Sequence, residues 1–323
     1  MLKKLTQVAA MALCAFGLLT QPAFADDCCY DDCNWLCQDW VVSADWIYWK
    51  LRGTQTDFSS TFSNSNFTGK VHDVGEDYDS GFRISVFKGC DSLDFGFNYT
   101  YFNTNDSHKA SGEGVLLIDH IVSAGAAYSS SYAKQKFEYN SVEFLVSTRM
   151  AFGDCSCVRL FAGPKFTFID QQFNTQFNGL VSTTDYSLYE KNKLSIDAYG
   201  ATFGAQLDWR FSDCMTFFTS ASWDTYIVDW SKKRTNSQTL GTVNTELDSV
   251  KSSHTKGMST LNVAAGISYH LDMFCCTPVA VSLGYELHQW INYEANALYF
   301  PNKGRDAGYL QLDGLFLRVA AQF

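Results

Sequence analysis

Tyr199-Gly200-Ala201-Thr202-Phe203-Gly204-Ala205-Gln206-Leu207-Asp208-Trp209-Arg210-Phe211 is the stretch that decides the fold. Tyr199, Ala201, Phe203, Ala205, Leu207, Trp209 and Phe211 share one parity, while Gly200, Gly204, Gln206, Asp208 and Arg210 share the other. Strict alternation puts the two sets on opposite faces of one β-strand. The stretch is too long for a soluble sheet, whose strands run about 5 or 6 residues, whereas a tilted strand crossing a bilayer needs about 9 to 11. One apolar face and one face of Gly, Asp and Arg is the pattern of a transmembrane barrel with a wet interior.

Working outward, the same period predicts strands over 41–52, 80–88, 93–102, 140–150, 158–168, 196–211, 215–226, 259–271, 279–291 and 309–323. Ten strands is an even number, as a barrel with both termini on the periplasmic side requires. The connections 89–92, 151–157, 212–214 and 272–278 are short and alternate with long ones, which predicts periplasmic turns and extracellular loops. Val115 to Ser129 is apolar enough for an extra hairpin, a helix or a constriction, so twelve strands stay open. The fold class is therefore all-β, a transmembrane antiparallel β-barrel. A large soluble β-sandwich alternates too, but strand length, connection lengths and the terminal Phe323 oppose it.

The chain has 323 residues, aromatics at 16%, charged residues at 18%, and a net charge of −10. So aromatic and weakly charged a chain buries a core, which excludes disorder. No apolar run long enough for a spanning helix follows the N-terminus, and the acidic balance argues against nucleic acid as a partner. Lys3 and Lys4, the apolar run Val8 to Leu19, and Ala23-Phe24-Ala25 read as an export signal over 1–25. A Cys-rich periplasmic segment, 26–40, and the barrel, 41–323, follow.

Ten cysteines remain after the signal. Cys90, Cys155, Cys157, Cys214, Cys275 and Cys276 fall in the four short turns, and Cys28, Cys29, Cys33 and Cys37 precede the first strand. All ten lie on the periplasmic side of this topology, where disulfides form. Turns spaced around a ring leave many pairs beyond the roughly 7 Å Cα limit for bridging, so links between molecules are one expectation and local pairing the other. Cys29-x3-Cys33-x3-Cys37 also has the spacing of three thiols on one helix face, a metal-site pattern, but an oxidising compartment favours disulfides. No cofactor is called for.

Inward parity carries Arg83, Arg149, Arg159, Lys165, Arg210 and Arg318 against Asp94, Glu143, Asp208, Asp224, Asp272 and Glu286. These are the candidate pore-lining residues. A balanced lumen gives no strong field, since selectivity comes from rings of one sign. The expectation is passive diffusion of small hydrophilic solutes and ions, with a slight cation preference set by acidic loops. Inward Gly96, Gly163, Gly200, Gly204, Gly266 and Gly284 are read as opening the lumen. A closed small barrel acting as adhesin or envelope scaffold is the alternative. For an omptin-like protease the candidates are Asp119-His120 with Asp73, Glu76, Asp77 and Asp79, and for a barrel lipase His288 or His270, which has no identifiable Ser partner. Neither set forms a catalytic constellation, so no enzyme is expected.

Ala44-Asp45-Trp46-Ile47-Tyr48-Trp49-Lys50, just after the Cys cluster, together with the Phe-terminated last strand, resembles the Legionella-type major outer membrane proteins, a family that includes porins of chlamydia-related bacteria. The resemblance implies a pore-forming barrel of the bacterial outer membrane, often disulfide-linked into an envelope network. Its expected partners are outer-membrane lipid, the barrel assembly machinery with Phe323 as signal, and either further copies of the chain or other disulfide-linked envelope proteins.

Overall fold

The computed structural model describes residues 40–53, 57–62, 69–74, 77–90, 93–117, 126–151, 155–181, 183–212, 214–271, 279–294 and 307–323. The export signal and the four N-terminal cysteines lie outside these residues. The strands are β1 (Trp40–Arg52), β2 (Asp57–Phe62), β3 (Gly69–Asp73), β4 (Tyr78–Cys90), β5 (Leu93–Leu117), β6 (Ala126–Ala151), β7 (Ser156–Val181), β8 (Thr184–Ser212), β9 (Met215–Leu240), β10 (Val243–Leu271), β11 (Val279–Glu294) and β12 (Ala307–Gln322). Following the antiparallel pairings through β5-β4-β1-β12-β11-β10-β9-β8-β7-β6 leads back to β5. Ten of the twelve strands among the described residues thus close a ring. Its first and last strands meet where Trp40 N donates to Phe323 O at 3.0 Å and Phe323 N donates to Trp40 O at 2.8 Å. Closure satisfies the backbone polar groups that lipid could not.

The outward face carries an apolar belt that includes Trp46, Phe82, Phe97, Phe144, Phe203, Ile267, Leu283 and Leu317. Aromatic rings and lysines mark its edges on β1 and β4. At one edge Lys88 Nζ lies 5.4 Å from the Trp40 ring; at the other Lys50 Nζ lies 5.9 Å from the Tyr78 ring, which stacks on Tyr48. Amphipathic rings and snorkelling lysines suit a membrane interface.

The strands outrun their sequence-based ends. β5 to β10 run 25 to 29 residues; at about 3.3 Å per residue and a tilt near 45° they rise roughly 60 Å, against an apolar band of about 25 Å. Most of 103–139, 169–195 and 227–258, expected as loops, is therefore barrel wall. The reason is a reversal of pattern. On β7 the apolar set in the belt faces outward and ends at Phe168; beyond it Ile169, Phe173 and Phe177 are buried inside while Asp170, Gln172 and Asn174 face out. On β8 the switch falls between Tyr199 and Ala198, and on β9 between Ile227 and Val228. A strand leaving lipid for water must turn its contrast inside out, and a search for continuous alternation stops there.

Val115 to Leu117 end β5 and Ala126 to Ser129 begin β6, so neither flank forms an extra hairpin or helix; 118–125 lie outside the described residues. The additional hairpin is β2–β3 in the first long connection, and its Ser59–Thr61 edge pairs with Val115–Leu117. β1, β4, β11 and β12 are 13 to 16 residues long, so among the described residues the longest strands are β5–β10.

Candidate functional site: the barrel lumen

A cavity of about 660 Å³ occupies the membrane-level interior, from Cys155, Cys214 and His270 at the short-turn end up to Trp49, Tyr139 and His288. Alternation delivers its lining. Arg83, Glu143, Arg149, Arg159, Lys165, Asp208, Arg210, Glu286 and Arg318 all line it. Asp94 and Asp224 point inward as expected but are buried behind the cations they pair with, and Asp272 lies outside the described residues.

The charges form discrete clusters. Arg83 Nη2 donates to both Glu286 oxygens at 2.9 and 3.0 Å, and its Nη1 donates to Asp45 Oδ2 at 3.1 Å. Arg318 donates to the same Asp45 from Nε and Nη2, both at 2.8 Å. Lys165 pairs with Glu143 and, at 2.9 Å, with Asp224, which also accepts from Asn262 Nδ2 at 2.9 Å. Arg149 Nη2 lies 2.8 Å from Asp94 Oδ2. Such pairing makes charge tolerable at membrane depth. Asp45 is the residue that sequence reasoning missed. Its parity, shared with Ser43 and opposed to Ala44 and Trp46, pointed inward.

Above the clusters the lumen is filled. Trp49, buried, packs against Phe102 and Tyr139 at ring-centroid distances of 5.5 and 6.2 Å. Tyr226 stacks on Trp290 at 5.2 Å, and Trp290 meets the edge of Tyr139 at 6.5 Å. Farther out lie Phe137, Phe173, Trp230 and Tyr293, also buried. The tier is tied to the charges below it, since Trp49 Nε1 donates to Glu286 Oε1 at 2.9 Å and Tyr226 Oη to Asp224 Oδ2 at 3.1 Å.

The inward glycines do not leave open space, which corrects their sequence reading. Gly96, Gly204, Gly266 and Gly284 stand directly opposite Phe87, Phe161, Phe218 and Phe316 on neighbouring strands. A Cβ on any of the four would lie 2.3 to 2.6 Å from the opposing ring. Each glycine is therefore roofed by a phenylalanine. At Gly163 and Gly200 a Cβ would meet the carbonyl oxygens of Phe144 and Thr225 at 1.7 and 1.9 Å.

Both lumen histidines have partners: His270 Nε2 lies 3.1 Å from Thr216 Oγ1, and His288 Nδ1 lies 2.8 Å from Asn262 Oδ1. Cys155, Cys157 and Cys214 are at the short-turn rim as expected, with Cys155 and Cys214 exposed. Cys90 ends β4, and Cys275 and Cys276 lie outside the described residues, as do Glu76, Asp119 and His120.

A family model described as Legionella pneumophila major outer membrane protein precursor matches residues 35–323. The chain belongs to this family. It is an outer-membrane β-barrel protein. No curated protein matches the sequence. Among solved structures it is similar to the outer membrane protease OmpT from Escherichia coli, at 8% identity and TM-score 0.41 over 88% of this chain and 95% of that one. A FadL homologue of Pseudomonas aeruginosa matches at 8% identity and TM-score 0.31 over 88% and 90% of the two chains. Neisserial surface protein A matches at 11% identity and TM-score 0.25 over 88% and 97%. Likeness at this level carries no argument about activity.

Proposed function

We propose that this family member is a narrow outer-membrane porin, passing small hydrophilic solutes and ions by diffusion. The reading rests on the 660 Å³ cavity at membrane depth with its charged lining. Charged groups persist inside a membrane barrel where partners and water solvate them, and a wet lumen is what a solute needs. The aromatic tier makes the passage narrow, so unit conductance should be far below that of a sixteen-stranded channel. No covalent chemistry is needed for this function, and none is proposed. Refolded protein in planar bilayers and in solute-swelling vesicles tests the reading; small, resolvable current steps are expected, with a slight cation preference that fades as salt rises. Absence of current and of swelling from heat-modifiable, folded protein would overturn it.

The filled tier favours a second reading, a closed barrel serving as envelope scaffold. In either case we propose that exposed rim thiols such as Cys155 and Cys214 help to link copies or envelope partners through disulfides. Native protein should then run as oligomers on gels without reductant after thiols are blocked at lysis. Monomers only would refute the linkage.

A further inference from the structure

Arg149 and Arg159 are register partners in the β6–β7 ladder, and both line the cavity near its short-turn end. Residues so placed on one face have Cβ atoms about 5 Å apart, and like charges there repel. Only Arg149 is offset directly by a carboxylate, from Asp94. Among the described residues no carboxylate comes within ion-pair distance of Arg159. Instead its Nη2 donates to Gln206 Oε1 at 2.6 Å, and Gln206 Nε2 donates to Asp208 Oδ1 at 2.8 Å. The amide of Gln206 thus stands between Arg159 and Asp208. The Arg159 guanidinium lies 5.3 Å over the Phe87 ring, and its Nε is shielded from solvent without an acceptor. Arg210 and Arg318 line the same end of the cavity.

We propose that Arg149 and Arg159 form a subsite for a small oxyanion, a phosphate or carboxylate, entering from the short-turn end. Two guanidinium groups carried at paired positions of adjacent strands and lining one cavity offer several N–H donors in fixed planes, which matches the oxygens of such an anion. A bound anion would remove the repulsion that the register imposes. The subsite does not depend on conduction, because the cavity reaches its short-turn end below the aromatic tier.

The test is equilibrium dialysis of radiolabelled inorganic phosphate against the folded, full-length barrel in detergent, with acetate as competitor. Saturable binding is expected, weakened tenfold or more by Arg159→Gln and equally by Gln206→Glu, which gives Arg159 a carboxylate of its own. Lys88→Gln, on the outer wall, should leave it unchanged. Competition by acetate at comparable concentration would mark the site as general for oxyanions, and its failure as selective for phosphate. Should Arg159→Gln fail to show heat-modifiable folding, Gln206→Glu decides alone. Absence of saturable binding, or equal loss in Lys88→Gln, would overturn the subsite.

Discussion

Replacing Asp45 by Asn should destabilise the barrel more than replacing Arg318, one of the two arginines it serves, by Gln. Asp45 sits on β1 directly between Arg318 of β12 and Arg83 of β4, at the seam where the first and last strands close the ring. Its side chain is fully buried, while those of Arg83 and Arg318 are 11% and 30% exposed. Removing one partner of a buried ion pair costs about 3–5 kcal/mol. Two features move the cost toward the low end, since Arg83 keeps Glu286 and Arg318 is partly hydrated. One feature opposes them: both guanidinium groups donate to the same Oδ2 of Asp45, at 3.1 and 2.8 Å, so without the carboxylate two cations about 6 Å apart repel by about 2.8 kcal/mol at an effective dielectric near 20, until the partly exposed Arg318 swings away. The net loss for Asp45→Asn is about 3 kcal/mol, whereas Arg318→Gln leaves Asp45 with Arg83 and should cost about 1 kcal/mol. Urea unfolding of the barrel in lipid vesicles, followed by tryptophan fluorescence and by heat-modifiable migration, measures both. A loss for Asp45→Asn no larger than that for Arg318→Gln would refute the account of the seam.

Trp49→Ala should raise unit conductance in planar bilayers while lowering stability by about 3–5 kcal/mol, because a buried indole of the aromatic tier is lost; unchanged conductance would mean that the tier does not set the passage. Deleting Phe323 removes the paired hydrogen bonds with Trp40 that join the first and last strands of the ring, and should reduce the outer-membrane yield seen on immunoblots of membrane fractions; normal insertion would count against the need for this closing contact. His72 of β3 stacks on His108 of β5 at 5.8 Å, and burial first, then His108 and Lys70, hold its pKa below 6.5. The neutral ring is thus favoured in the folded hairpin, so its contribution is complete above pH 6.5 and is lost as pH falls through the lower folded value. Limited proteolysis should cut the β2–β3 hairpin faster near pH 5 than at neutrality, and His72→Gln should flatten that difference.

Where lipid bathes one face, the sequence was legible. Trp209 and Phe211 against Asp208 and Arg210 fixed both the strand and the inward set, and the short turns were placed within a few residues because contrast ends abruptly there. The tall outer wall was hidden because Ile169, Phe173 and Phe177 continue β7 with the opposite face apolar. A reading that allows one reversal per strand, at the membrane edge, would have carried β5 to β10 outward. The charged lining was legible by parity alone, yet its grouping was not: that Lys165 faces both Glu143 and Asp224, or that Gln206 separates Arg159 from Asp208, depends on stagger between strands far apart in sequence.

The same stagger explains how ten strands leave a moderate lumen rather than none. Eight-stranded barrels fill with side chains, and sixteen-stranded ones hold channels. Four inward phenylalanines would fill much of a ten-stranded interior if each stood upright toward the axis. Each instead lies across a glycine on the next strand, Phe87 over Gly96, Phe161 over Gly204, Phe218 over Gly266 and Phe316 over Gly284. A ring laid on the wall covers backbone that would otherwise be bare and leaves the centre to the ion pairs and water. Farther out Trp49 faces Gly314 and Phe102 faces Gly81, but neither ring lies on its glycine: a Cβ at Gly314 would meet the backbone of Tyr48 and Trp49, and one at Gly81 the carbonyl of Tyr101 and the side chain of Ile47. There the rings pack on one another across the lumen and narrow it. The glycines therefore do bear on the bore, through the rings they let lie flat, and the boundary between wet lumen and aromatic tier falls where the glycine-roofing pairs end.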